Sequence, residues 1–368
     1  MSIYETPSEV YFRLHHTRPR FKRDLENVLG FMAFSILEVG AKNSVDFNRE
    51  LDNLIRSFND NSTKTAKTIA NWRTEISAIF SFFYEEDEKS YPTELVKDFA
   101  DNLDLVKLFR RFTSAFQYPG GHLKPHEIID CVEHEVEFHP GRWLCLYLLY
   151  VQSKSPANAY LTAAEFCHCA MYDLRVTRDM ESPEETFKRI VYNRTVNEEY
   201  NTKGDVIRYA KDILDYMAYA KILDRDSEGR YSIRKSELSF CKKLAESTHF
   251  FDSYKNCSIP HDANILETDW IKYVDRISIG YSTTVSLKDE IKEIEIKTGT
   301  SIPSSGVQSD EIGKLGEALM LVHEKCRITK EGRPDLKHRI TLIPSSYAIG
   351  YDIDSIEIDE SKRCVEVK

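Results

Sequence analysis

Helical periodicity is the feature that most constrains this chain, because it runs through most of the first 220 of its 368 residues. Apolar residues recur at three- and four-residue steps in FKRDLENVLGFMAFSIL and FNRELDNLIRSF, between residues 20 and 60. Only 14 Gly and 12 Pro interrupt the chain. The period and the composition together predict a helix-rich protein. Its length of 368 residues predicts two or three domains, each able to bury its own core.

The helical pattern continues beyond residue 60. A polar cluster, NDNSTKT, can cap a third helix whose apolar face is formed by Ile69, Trp72, Ile76 and Ile79. Two further helices are predicted between about residues 93 and 117, before the turn signal YPGG. The stretch HPGRWLCLYLLYVQS then predicts a buried helix that begins at a proline, and LTAAEF carries the Thr-x-x-Glu spacing of a capping box.

Residues 205–236 carry a more specific pattern. DVIRYAKDILDYMAYAKIL predicts an amphipathic helix, and two short β-prone pieces follow around the turn Asp226-Ser227-Glu228-Gly229. A helix followed by a tight hairpin is typical of the last part of a winged helix-turn-helix, in which a helix enters the major groove and the hairpin contacts phosphates. Arg225 and Arg230 of this hairpin are therefore candidate DNA contacts. Winged helices also mediate protein contacts, and the pattern alone leaves both functions open.

Charge gives mixed evidence about a nucleic-acid partner. The formal net charge of -10 argues against one, but DNA binding depends on a local basic stripe rather than on the sum. The first such stripe consists of Arg13, Arg18, Arg20, Lys22 and Arg23. The second consists of Lys325, Arg327, Lys330, Arg333, Lys337, His338 and Arg339. Either stripe can equally be an ordinary solvated surface.

Other sequence features indicate a cytoplasmic protein without a membrane partner. No apolar run reaches the eighteen residues that a membrane-spanning helix needs, and the N-terminus lacks the basic-then-apolar order of a secretory signal. The eight cysteines show no zinc spacing, which favours reduced thiols inside the cell.

The last sixty residues hold the clearest candidate for chemistry. GYDIDSIEIDESKRCVEVK alternates with period two around DESK, which predicts a hairpin. Asp359 is midway between Asp352 and Glu366, so these two carboxylates can face each other across the hairpin. Lys368 lies two residues after Glu366 and shares its face. Asp354 is a second candidate on the face of Asp352.

Two carboxylates beside a lysine suit phosphodiester hydrolysis. Mg²⁺ takes oxygen ligands and lowers the pKa of bound water, and a lysine places positive charge close to the scissile phosphate. The alternative is an acidic surface hairpin that ends in a lysine.

The order Gly316-Glu317 on a helix, then Gly350-Tyr351-Asp352-Ile353, then Val365-Glu366-Val367-Lys368 resembles the PD-(D/E)xK nuclease superfamily, in its branch with GYDI and EVK signatures. The resemblance covers residues 309–368. It implies that Asp352 and Glu366 bind metal, that Lys368 is the catalytic lysine and that Glu317 joins the site from its helix. The superfamily continues after EVK with a helix and another strand, so it also implies an incomplete domain. We therefore expect little or no cleavage by the 368-residue form.

The helical region resembles the recognition region of AlwI-like type IIS restriction and nicking endonucleases. The similar stretches are ELVKDFADNLDLVKLFRRFTSAFQYPGG, RWLCLYLLYVQS and LTAAEF with the helix and hairpin after it. Those enzymes combine successive winged-helix units with a separate C-terminal cleavage domain, and the resemblance implies the same organisation here.

The predicted fold is a mainly α N-terminal region with winged-helix units and a C-terminal α/β domain of the restriction-endonuclease type. The predicted domains are residues 1–120 and 121–250 for DNA recognition, 251–308 as a connector and 309–368 as the incomplete nuclease. The predicted function is sequence-specific, Mg²⁺-dependent cleavage of double-stranded DNA, in restriction-modification and phage defence, with a second nuclease subunit or as a homodimer. The alternatives are a non-catalytic DNA-recognition subunit or regulator, and an interaction protein of a defence complex.

Overall fold

The computed structural model of the protein describes residues 3–15, 25–259, 261–280, 331–343 and 351–367, together with residues 317, 320, 321, 323–325, 327 and 328. The α-helices of the first 280 residues are α1 Leu25–Val39, α2 Ser44–Ser57, α3 Ala66–Phe80, α4 Glu94–Asn102, α5 Leu105–Ala115, α6 Pro125–Glu133, α7 Pro140–Lys154, α8 Ala163–Phe166, α9 Leu174–Thr177, α10 Pro183–Thr195, α11 Val206–Tyr219, α12 Leu238–Ala245 and α13 Ala263–Gly280. The strands are β1 Ile3–Tyr4, β2 Lys42–Asn43, β3 Phe83–Glu86, β4 Lys89–Pro92, β5 Leu161–Thr162, β6 Glu199–Tyr200, β7 Leu223–Arg225, β8 Arg230–Ile233, β9 Thr341–Leu342, β10 Ile353–Ile356 and β11 Lys362–Val365.

The predicted helices of the N-terminal region are confirmed. Helix α2 illustrates why they form: Phe47, Leu51 and Ile55 recur at four-residue steps and are buried, and the Asn43 side chain accepts a hydrogen bond from the Val45 N–H. The helix predicted to begin at a proline is α7. The predicted helix and hairpin of residues 205–236 are α11, β7 and β8.

The predicted capping box is present at the start of α8. The Thr162 hydroxyl accepts a hydrogen bond from the Glu165 N–H at 3.2 Å, and the Glu165 carboxylate accepts one from the Thr162 N–H at 2.8 Å. Each residue therefore satisfies a backbone donor that the first turn of the helix leaves free. The helix then continues as one turn of π-helix, Cys167–Met171.

Residues 25–92 form what we call the first unit. Helix α1 is followed by β2, then by α2 and α3, and finally by the β3–β4 hairpin. The short strand β2 pairs with β4, so the sheet order is β2-β4-β3. The first strand of the unit, β2, thus pairs with the last one, β4, and helices α2 and α3 lie between these two strands in the chain.

Residues 140–233 form the second unit, and they repeat this arrangement. Helix α7 is followed by β5, by the helices from α8 to α11, and by the β7–β8 hairpin. Strand β5 pairs with β8, which gives the sheet order β5-β8-β7. The two units therefore share one topology, although the second contains more helices between its first strand and its hairpin.

The buried residues of both units belong to one continuous hydrophobic core, which extends from Leu14 to Val274. Arg110 of α5 contributes a polar contact to it, because its Nε donates to the Ala220 carbonyl oxygen at 3.0 Å and its guanidinium pairs with Glu237 at 2.9 Å. In the described part of the chain, no helix combines the length and the apolar character that crossing a membrane requires. The seven cysteines of that part are free thiols.

The described residues from 317 to 367, here called the C-terminal unit, have a small core of their own. Ile328, Ile340 and Ile353 are fully buried in it. Strands β10 and β11 form an antiparallel hairpin in which Ile353 pairs with Val365 and Ile356 with Lys362. This register is centred on Asp359, as the sequence predicts. Strand β9 pairs with β10 on its other side, so the sheet has three strands among the described residues.

Candidate nucleic-acid interface and C-terminal carboxylates

The exposed face of α3 combines a lysine with short polar side chains. Lys67 and Thr74 are exposed and Asn71 is half-buried. These positions are four and three residues apart, so they lie on one side of the helix. Ile69 and Ile76 are fully buried on the other side. A helix face of this kind can bring its backbone close to a polyanion and present both a positive charge and an amide to it.

The hairpin of the first unit is acidic. The residues around its turn are Glu85, Glu86, Asp87 and Glu88. It packs against α13, where Thr268 Oγ1 donates to the Glu85 carbonyl oxygen at 3.2 Å and Lys272 Nζ lies 3.4 Å from a Glu86 carboxylate oxygen. Four adjacent carboxyl groups repel phosphates, so this hairpin is unsuited to contacts with a DNA backbone.

Helix α11 of the second unit is approached by the first basic stripe. Arg13 is exposed, and its guanidinium lies 6.0 Å from the centre of the Tyr209 ring. Arg208, the residue before Tyr209, is also exposed, but it forms an ion pair of 3.1 Å with Asp205. The positive charge near the beginning of α11 therefore comes chiefly from Arg13, which belongs to another segment, and the helix dipole adds to it.

The segment that carries Arg13 is anchored on the second unit. Strand β1 pairs with β6 in parallel, and the Thr6 hydroxyl donates to the His168 carbonyl oxygen at 2.8 Å. Further along, the Phe12 N–H donates to the Tyr172 carbonyl oxygen at 3.1 Å. These contacts fix the start of the basic stripe next to α11. Its remaining members, Arg18, Arg20, Lys22 and Arg23, lie outside the described residues.

The two arginines of the β7–β8 hairpin differ in their surroundings. Arg225 is exposed, and its guanidinium lies 5.6 Å from the centre of the Tyr231 ring. Arg230 is paired with Asp226 at 2.6 Å and with Glu228 at 2.9 Å. The charge of Arg230 is thus largely neutralised by its own turn, whereas Arg225 is the better candidate for a phosphate contact.

Several described members of the second basic stripe are paired with carboxylates or buried. Arg327 pairs with Glu331 and Glu357, and Arg333 pairs with Asp335. Lys325 is buried, with 5% of its surface exposed, and Arg339 pairs with Glu360. The neutralising carboxylates come both from the same segment, as Glu331 and Asp335 do, and from the later hairpin, as Glu357 and Glu360 do.

Asp352 contacts the segment that carries Glu366 at the open end of the C-terminal hairpin. The Asp352 N–H donates to the Val365 carbonyl oxygen at 2.9 Å, and the Asp352 carboxylate accepts a hydrogen bond from the Val367 N–H at 2.7 Å. Ile353 is fully buried, and Val365 and Val367 pack against the same core, whereas Asp352 is half-buried and Glu366 is exposed. The carboxylates therefore belong to the outer side of the hairpin.

The other candidates for this site are described only in part. Glu317 is helical and half-buried, and Asp354, the second candidate on the hairpin, pairs with Lys362 at 3.0 Å. Lys368 lies outside the described residues. Within the described residues, no group of three or more His, Cys, Asp or Glu side chains is arranged to hold a metal ion. Metal binding by Asp352 and Glu366 stays a prediction.

The face of α3 was missed by sequence reasoning, which used that helix only for its apolar side. A signal was present, because Lys67, Asn71 and Thr74 occupy the positions between the apolar residues. What the sequence could not supply was the repeated topology, which identifies α3 as the helix directly before a hairpin.

The N-terminal region is thus a mainly helical protein built from two tandem units on one hydrophobic core. In each unit a helix lies directly before the hairpin of a three-stranded sheet. The family model described as "Restriction endonuclease BpuJI - N terminal" matches residues 4–271. The chain therefore belongs to this family over nearly three quarters of its length. No curated protein matches the chain.

Among solved structures, one similar fold is described as "Crystal structure of pyrene- and phenanthrene-modified DNA in complex with the BpuJ1 endonuclease binding domain". It aligns with a TM-score of 0.65 at 22% sequence identity, and the alignment covers 72% of this chain and 98% of the other. The fold of the N-terminal region is thus that of the BpuJ1 binding domain.

Proposed function

We propose that this protein recognises double-stranded DNA as part of a restriction-type endodeoxyribonuclease. The observation that carries the proposal is the repeated unit in which a helix leads directly into a hairpin, located within the region that belongs to the BpuJI N-terminal family. The similar fold described above belongs to a binding domain in complex with DNA, which supports the same function here.

Both units are interpreted as winged helices. The sheet order, in which the first strand pairs with the last, and the helices enclosed between them are typical of that fold. In a winged helix the helix before the hairpin enters the major groove. The corresponding helices are α3 in the first unit and α11 in the second.

The two helices are suited to different contacts. Asn71 of α3 has an amide that can bond the edge of an adenine, and Lys67 can bond a guanine edge or a phosphate. Near α11, Arg13 offers positive charge, which suits phosphates and gives affinity without sequence information. We therefore assign base recognition chiefly to α3, and backbone contacts chiefly to the basic stripe of residues 13–23 and to Arg225.

DNA binding is tested by fluorescence anisotropy with labelled duplexes over a range of salt concentrations. The logarithm of the association constant should fall linearly with the logarithm of salt concentration, because bound lysines and arginines release counterions. Arg13→Ala should reduce that slope by about 1. Arg49→Ala serves as a matched control, because Arg49 lies on α2 in an ion pair with Asp46. Absence of binding at low salt would leave the interaction-protein alternative.

Base recognition is tested by selecting bound sequences from a random duplex pool. Asn71→Ala should lose selectivity at about one base pair, which corresponds to about 1–3 kcal/mol of discrimination. Asn53→Ala is the matched control, because Asn53 is exposed on α2. An unchanged selected sequence for Asn71→Ala would refute the assignment of α3.

The second part of the proposal concerns DNA cleavage by the C-terminal unit. We propose that Asp352 and Glu366 bind Mg²⁺, that Lys368 stabilises charge on the scissile phosphate and that Glu317 completes the site. The support is the closeness of Asp352 to the 365–367 segment and the position of both carboxylates on the outer side of the hairpin. DNA binding without any metal binding would instead assign the chain to a non-catalytic recognition subunit.

A further inference from the structure

Two consecutive residues of the C-terminal unit bind to different parts of the protein. Glu324 is 1% exposed and binds the hairpin of its own unit, where Ser355 Oγ donates to its carboxylate at 2.7 Å and Arg363 Nε lies 3.3 Å away. The hydrogen bonds from Ser355 and Arg327 and the nearby positive charges lower the pKa of Glu324, although its burial opposes this. Glu324 thus stays ionised and fixes its helix to the β10–β11 hairpin.

Lys325, in contrast, contacts helices α1 and α4 of the N-terminal region. Its Nζ donates to the Ala100 carbonyl oxygen at 2.9 Å and lies 3.4 Å from the Asp101 carbonyl oxygen. Both carbonyls belong to the last turn of α4, which is the negative end of the helix dipole. The ammonium group also lies 5.4 Å from the centre of the Phe34 ring on α1. Lys325 is only 5% exposed, so its ammonium group supplies a hydrogen bond that a carbonyl group at the end of α4 would otherwise accept from water.

Leu103 makes the apolar part of the same contact. It follows α4 in a left-handed conformation, with φ of 48°, and packs against both the main core and the core of the C-terminal unit. Burial lowers the pKa of Lys325 to about 8, while Asp101 raises it and Lys337 lowers it further. The ammonium is therefore deeply enclosed by the two surfaces.

We propose that this contact is a fixed docking surface, formed by α1, α4 and Leu103, whose partner is the C-terminal unit of the same chain. Lys325 is its positioning residue: it connects α4 to the hairpin that carries Asp352 and Glu366, through the adjacent Glu324. Among the described residues, the docking contacts involve α1 and α4, whereas Lys67 and Thr74 on α3 stay exposed. The C-terminal carboxylates are thereby held at a set place relative to α3, which stays available.

The consequence for DNA cutting rests on the proposed function, but the docking itself does not. Docking is measured without DNA, as the distance between two spin labels in a Cys257→Ser, Cys326→Ser background of the full chain. One label is on Cys364, which is exposed on β11, and the other is on a cysteine introduced by Thr74→Cys on α3. The labelled protein that retains Lys325 should give one narrow distance distribution. Lys325→Met, which retains most of the stem but removes the ammonium, should broaden it. Lys97→Met is the matched control on the exposed side of α4, and it should leave the distribution narrow.

A second variant covers the case in which Lys325→Met does not fold. Leu103→Gly removes the apolar contact, while glycine readily adopts the positive φ at this position, so the end of α4 is retained. It should broaden the distribution as well. A broad distribution before any change at Lys325 or Leu103, or a narrow one in a folded Lys325→Met or Leu103→Gly protein, would overturn the docking proposal whatever the outcome of the DNA-binding experiments.

Discussion

Lowering the pH is expected to destabilise the second unit through His139. This residue is buried just before α7, where its Nδ1 accepts a hydrogen bond from the Arg142 N–H at 3.2 Å and its Nε2 donates to the Ser114 carbonyl oxygen at 2.9 Å. Both bonds are possible only for the neutral ring with its proton on Nε2. A second proton would remove the helix cap and place a charge at the positive end of the α7 dipole.

The size of the effect follows from the pKa of His139 in the two states. Burial lowers the pKa of His139 to about 4 in the folded protein, whereas in the unfolded chain this pKa has its ordinary value of 6.5. Between these values the unfolded chain binds a proton that the folded chain does not, so stability present above pH 6.5 is lost as the pH falls. The loss is about 2 kcal/mol at pH 5 and about 3 kcal/mol near pH 4.

The measurement is urea unfolding, followed by circular dichroism, at pH 8 and pH 5. His139→Asn retains a side-chain acceptor for the cap but does not titrate, so it should lose about 2 kcal/mol less than the unsubstituted protein over this interval. His261→Asn is the control, because the His261 side chain is 88% exposed. If the unsubstituted protein and His139→Asn lose stability in parallel, the argument from the buried neutral ring is wrong.

Three further outcomes are expected. Glu165→Ala should destabilise the protein by about 3–5 kcal/mol in urea unfolding, because it leaves the charge of Arg194 without the carboxylate that binds it at 2.6 Å. Gly141→Ala should lower the melting temperature, with a loss of about 1–3 kcal/mol, because the new Cβ would lie 2.5 Å from a carbonyl oxygen of α5. Asp352→Ala should weaken Mg²⁺ binding in calorimetry and abolish any Mg²⁺-dependent plasmid cleavage, whereas Asp359→Ala at the exposed hairpin turn should change neither.

Local patterns predicted the elements of this protein well. The capping box of Thr162 and Glu165 and the register of the C-terminal hairpin around Asp359 involve residues that are close in sequence, so spacing alone determines them. The Lys-rich and Arg-rich run from residue 325 to residue 339 left open whether it forms a basic surface, because some of its partners, such as Glu357 and Glu360, come from a different element.

Pairings between distant residues could not be predicted. Strands β2 and β5 have two residues each, and each closes its unit by pairing with a strand about fifty to seventy residues later. Two residues carry too little alternation to be identified as a strand. The burial of Lys325 is a similar case, because nothing in the sequence distinguishes a lysine that caps a distant helix from one that is solvated.

The two units share a topology, but their surfaces are not equivalent. Helix α3 exposes Lys67 and Thr74, whereas among the described side chains of α11 only Arg208 and Tyr219 are exposed, and Arg13 from another segment supplies positive charge beside that helix. The hairpin of the first unit is acidic and packs on α13, while that of the second exposes Arg225. Proteins that read palindromic sites do so with identical subunits, whose two-fold symmetry matches that of the DNA. One chain with two unlike units has no such symmetry, so the proposed recognition region fits a DNA sequence that lacks it too.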